Sequence, residues 1–219
     1  MYHPQLRTAL RRHGIALFAA LSLQSAFGAV SEPQFQAAFE QMQLALKGDS
    51  GAVERAAEKF GALVQADPAD PVLLAYAGAS TALKATTTLL PWRKMGFAED
   101  GLAQIDKALA LLQPQHDQPL HHHIPASLET RFTAASTFLG LPDMFHRGPR
   151  GTQLLDEVLK SPLLPKAPLP FQGTVWMRAG QQAAKEKRID DAKRWFNEVV
   201  QHNAPQAEAA RAKLKELQS

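Results

Sequence analysis

After the first thirty residues, apolar side chains recur every three or four positions, and turn signals cut the pattern into short pieces. That period lines them along one face of a helix, whereas a strand needs strict alternation, and no alternating stretch is long enough for one. A chain of short amphipathic helices can bury its stripes only against one another, so the expected class is all-α.

Helices are expected over 33–46, where Phe35, Ala38, Phe39, Met42 and Ala45 share a face before Gly48-Asp49, and from Ser50 to the Asp67-Pro68 pair, where Val53, Ala56, Phe60 and Leu63 do. A third covers 70–86, and Leu90-Pro91-Trp92 is read as an interruption before a fourth over 97–112. The stretch 114–124, rich in Pro, Gln and His, reads as a loop and as the break between halves. Further helices are expected over 125–139, 152–160, 171–185, 189–202 and 205–217, with a proline-rich connector across 161–170. The helix over 189–202 has the clearest stripe, with Ile189, Ala192, Trp195, Phe196, Val199 and Val200 opposite Asp190, Lys193, Arg194 and Glu198.

The N-terminus has a different grammar. Arg7, Arg11 and Arg12 precede an apolar run over 14–23, and small residues Ala26, Gly28 and Ala29 follow. That order predicts a cleavable secretory signal over 1–28, cut after Gly28 or Ala29, and hence a periplasmic chain over 29–219; the apolar run is about half of what a membrane-spanning helix needs. The alternative is an uncleaved anchor. The first 28 residues hold three Arg and no acid, so the remaining chain carries 21 basic against 21 acidic residues. A formally neutral chain gives no electrostatic case for a nucleic-acid partner, and no membrane contact is expected after cleavage. With no cysteine there are no disulfides and no lipid attachment site at the cleavage point, so stability rests on packing.

An internal repeat is visible. Trp176, Ala179, Gly180 and Ala183 in one helix are followed by Ala192, Phe196 and Val199 in the next, and Pro205 comes shortly after. Ala56, Phe60, Leu63 and Pro68 repeat the second half of that pattern, and Leu74, Ala77 and Gly78 restart its first half. This spacing resembles the tetratricopeptide repeat (TPR), a helix-turn-helix of about 34 residues in which small side chains let two helices approach and an aromatic fills the gap to the next hairpin. The resemblance covers the helical parts and departs from the family in two places: extra residues between the helices of the repeat that begins at Pro71, and the region 114–170, which fits no repeat. It implies an α-solenoid of about nine or ten helices with an irregular centre, acting as a non-catalytic scaffold or adaptor for an envelope protein or peptide.

Candidate site residues fall into two groups. Trp92, Arg93 and Lys94 lie in the extra segment, and Phe145, Arg147 and Arg150 follow the turn at Pro142. Brought together, they would form an aromatic and basic patch for a carboxylate or phosphate on a partner; read singly, Trp92 and Phe145 are core plugs with solvated basic neighbours. His116, His121 and His123 supply imidazoles for a metal, the basis of an alternative reading as a metal-binding protein. Three consecutive histidines cannot all face one ion, so the first reading of 121–123 is a solvated polar loop. The acids Glu99, Asp100, Asp106, Glu129 and Asp143 are scattered with no acid-base motif, and no nucleophile elbow, zinc-protease or phosphate-loop motif is present. No cofactor and no enzyme activity are expected; a third reading is an accessory subunit of an envelope enzyme.

Overall fold

The computed structural model describes residues 30–217, so the expected signal over 1–28 lies outside the described residues. Among them are nine α-helices: α1 (Glu32–Leu46), α2 (Ser50–Ala66), α3 (Pro71–Thr87), α4 (Pro91–Ala110), α5 (Ala126–Gly140), α6 (Gly148–Lys160), α7 (Leu169–Lys185), α8 (Ile189–Gln201) and α9 (Ala207–Glu216). The all-α class holds. No described helix is long and apolar enough to cross a membrane.

Caps explain the starts of the early helices. Asp49 Oδ1 accepts from the Ala52 N–H at 3.0 Å to open α2, and Asp70 Oδ1 accepts from Val72 and Leu73 at 2.8 and 3.1 Å to open α3. The structure corrects two boundaries. α4 begins at Pro91, not near residue 97, because the fixed φ of proline suits the first helical turn and its missing N–H is not needed there. α6 likewise begins at Gly148, with Pro149 in its first turn, ahead of the expected 152.

α3 is the axis of the N-terminal part. Every residue from 70 to 80 is buried, as suits a helix enclosed on all sides. α2 packs on one side of it and α4 on another, while α5 returns from further along the chain to pack on it as well. The α3–α4 contact is close enough to need glycine on both helices. A Cβ on Gly78 would sit 2.6 Å from the Gly101 carbonyl oxygen, and one on Gly101 would sit 2.5 Å from that of Gly78. The other strong contacts join α1 to α2, α5 to α6, α7 to α8 and α8 to α9.

Three main apolar clusters result. Phe35, Phe60 and Leu73 anchor the one among α1, α2 and α3. Ile105, Leu128, Phe138, Leu154 and Val175 join α4 to α7. Trp176, Ala192, Phe196 and Val199 hold α7, α8 and α9.

The irregular centre contains the only strands among the described residues. Pro119–His121 (β1) and Ile124–Pro125 (β2) pair as a two-stranded antiparallel ladder, too short to show alternation in the sequence. The turn between them places His122 and His123 at φ 53° and 56°. Successive left-handed residues match the twist of a tight hairpin but usually call for Asn or Gly, so the hairpin must be held by the side chains packed around His121 and His122.

Candidate functional site

The surroundings that hold the hairpin mix aromatic and polar side chains, most of them buried. α1 contributes Glu32, Phe35 and Phe39; α3 contributes its cap Asp70 and Tyr76; the hairpin contributes His121 and His122; α5 contributes Glu129. His121 Nε2 lies 2.8 Å from Asp70 Oδ2, so one carboxylate caps α3 with one oxygen and holds the hairpin with the other. The same ring stacks on Phe35 with centroids 4.1 Å apart and planes 3° from parallel, and its Nδ1 is 3.7 Å from Glu32. His122 meets Phe35 and Phe39 edge-on, both at 4.4 Å, and its Nδ1 lies 3.4 Å from Glu129 Oε1. Tyr76 Oη donates to that same oxygen at 2.9 Å, across 53 residues of sequence.

Glu129 has no exposed surface and His121 only 6%. Burial pushes the Glu129 carboxyl above its ordinary range, and His122, Tyr76 and His121 offset this only in part. Tyr76 is driven well above its ordinary value by burial first and by the Glu129 charge second. For His121, burial acts downward, but the hydrogen bond and charge of Asp70, joined by Glu129 and Glu32, outweigh it and the pKa rises. For Glu32 at the rim, burial acts upward and is outweighed by hydrogen bonds from Gln36 and the His122 backbone, so its pKa falls. The cluster thus ties the hairpin and the start of α5 to α1 and α3.

The expected solvated loop is therefore corrected at His121, which is core. The three candidate metal ligands stand in different surroundings: His116 Nδ1 accepts from the Gln113 N–H at 3.0 Å, His121 faces Asp70, and His123 is exposed. Among the described residues no group of three or more His, Asp or Glu lies together in a way that could hold a metal ion.

The aromatic and basic residues also part company. Trp92 is 70% exposed at the start of α4, beside exposed Arg93 and Lys94, so it is not a core plug. Phe145 is half-buried against the α4–α7 core. Arg147 makes a two-pronged pair with Asp106 at 3.1 and 2.8 Å and lies over the Phe138 ring, while Arg150 is 3.7 Å from Glu157. Trp92 and Asp106 are both on α4, fourteen residues and so about 21 Å apart along its axis. The two groups do not form one patch.

What the sequence reading missed is a groove where α2, α3 and α4 meet. It has a volume of about 600 Å³ and is lined by Glu54, Glu58, Thr81, Lys84, Phe97 and Asp100, among others. Lys84 Nζ is 2.9 Å from Glu54 and 4.7 Å above the centre of the Phe97 ring, so it is already paired and the remaining charge is acidic. Of its lining, only Asp100 was noted in the sequence, as one of several scattered acids with no motif.

Set against known proteins, the chain matches no family model, and no curated protein or solved structure matches it.

Proposed function

We propose that this chain is an exported, non-catalytic scaffold of TPR type that holds a peptide or protein segment of the cell envelope in the α2–α3–α4 groove. The groove is the observation that carries the reading: it is open, mixes an aromatic floor at Phe97 with carboxylates at Glu58 and Asp100, and lies among consecutive helices. That chemistry favours a segment with a basic side chain beside an apolar one. The repeat reading is supported at the other end of the chain. A Cβ on Gly180 would sit 2.5 Å from the Phe196 ring, the close contact of small residue and aromatic that the repeat pattern calls for. The Arg-led apolar segment over 1–28 supports export to the periplasm.

Site-specific photocrosslinking in cells tests this. A photoreactive residue at the groove position Ala103 should capture one envelope protein that the same residue at Gln153, on the exposed face of α6, does not. Identical adducts from both positions, or none from Ala103, would refute the groove reading.

A further inference from the structure

The turn between α3 and α4 carries the most prominent apolar surface among the described residues. Leu89 is 92% exposed, Trp92 70% and Leu90 39%. None of the three lines the α2–α3–α4 groove. Arg93 and Lys94 follow directly, both exposed, and neither makes an ion pair among the described residues. The first turn of α4 contains no acid to neutralise them.

The same end of the molecule bears more of this surface. Leu83 of α3 packs on the cluster formed by Ala45 of α1 with Ala52 and Val53 of α2, and Lys84 pairs with Glu54 at 2.9 Å, so the C-terminal end of α3 lies by the α1–α2 turn. There Leu46 is 66% and Leu44 42% exposed, and Lys47 follows. Asp49, the acid nearest this end of α1, is paired with Arg55 at 3.4 Å. The edge is thus an apolar ridge with unneutralised Lys47, Arg93 and Lys94.

We propose that this ridge rests on the surface of a bilayer containing anionic phospholipid, independently of what the groove binds. Leu89, Leu90 and Trp92 enter the boundary between headgroups and acyl chains, where an indole is favoured because one part is apolar and its N–H stays hydrated. Arg93, Lys94 and Lys47 meet lipid phosphates by charge complementarity. Long apolar side chains this far out in solvent, flanked by unpaired cations, suit a deformable, anionic surface; a protein partner would have to supply a pocket for each. The chain would then sit on the membrane without crossing it, contrary to the sequence expectation of no membrane contact. That expectation rested on removal of the apolar segment over 1–28, and the sequence pattern does not show which leucines are exposed.

The test is co-sedimentation of the chain recovered after expression of the full sequence, using vesicles of phosphatidylglycerol and phosphatidylcholine in equal parts and vesicles of phosphatidylcholine alone. Comparing point variants makes any contribution of residues 1–29 common to all samples. Binding to the anionic vesicles at low salt should weaken about tenfold or more in Arg93→Glu plus Lys94→Glu, and comparably in Leu89→Ser plus Trp92→Ser, with thermal stability unchanged because these side chains are exposed. Trp92 emission should shift to the blue on binding. No binding, or binding that both double variants retain in full, would overturn the proposal. So would a concentration-dependent dimer that Trp92→Ser returns to monomer, since the ridge would then be covered by a second copy.

Discussion

The two ends of the chain are held by different kinds of core. Around Phe196, the α7–α9 end is closed by apolar side chains: Trp176, Ala183, Ala192, Val199, Ala204 and Ala210. Around Phe35, the N-terminal end adds an imidazole stacked on a phenyl ring, a shared carboxylate at Asp70, and the fully buried Glu129 bonded to Tyr76. An apolar core tolerates imprecise partners because dispersion and desolvation have no direction. A buried polar cluster requires each partner in place, since an orphaned charge or hydroxyl costs more than the bond gains. The first core therefore follows from stripes within single helices, and the second fixes how four separate segments meet.

The largest effect should come from the apolar end. Phe196→Ala opens a cavity beside Gly180 and is expected to cost about 3–5 kcal/mol of stability, read from the shift of the urea midpoint. Next comes the polar core. Glu129→Ala removes the carboxylate that accepts from the Tyr76 hydroxyl and pairs with His122, and should cost about 1–3 kcal/mol. If Glu129→Met proves as stable as wild type or better, the cluster serves to select the α3–α5 arrangement rather than to stabilise it, and the comparison is sharpened.

The third prediction separates the two cores by pH. The pKa of His121 is higher in the folded chain than the ordinary 6.5, so its bound proton favours folding. That contribution is complete below 6.5 and is lost as pH rises through the folded value. Glu129 acts with the same sign in the window that begins at its ordinary 4.5. Glu32 and Glu186, whose values are lowered, act with the opposite sign and only below 4.5. The urea midpoint should therefore fall as pH is raised past 6.5 in wild type and stay flatter in His121→Gln, while Phe196→Ala should keep the wild-type slope. An unchanged slope in His121→Gln would break the distinction. The smallest effect is expected from Arg147→Ala: its pair with Asp106 is partly solvent-screened, and its loss should cost no more than about 1 kcal/mol in the same titration.

Legibility followed the same division. The pattern at 189–202 predicted α8 to within a residue at its end, because Ile189, Ala192, Phe196 and Val199 write their burial into local spacing. Pro91 misled because proline marks both helix breaks and helix starts, and only the packing of α4 on α3 decides between them. His121 and His122 were read as solvated because their partners Asp70 and Glu32 lie far back in the chain and Glu129 follows on a different element, whereas His123 is exposed as that reading expects. Trp92 and Arg147 were considered for one patch, but α4 holds Trp92 far from Arg147's partner Asp106.

The sequence by itself determined the helical class, most helix bounds, and the side chains that meet within a hairpin, because period and caps act over a few residues. Only the tertiary structure decided that α5 returns to α3, that Glu129 and His121 are core, that Leu89 and Trp92 stand in solvent, and that a groove opens among α2, α3 and α4. These depend on which faces of distant helices meet, and no local period encodes that.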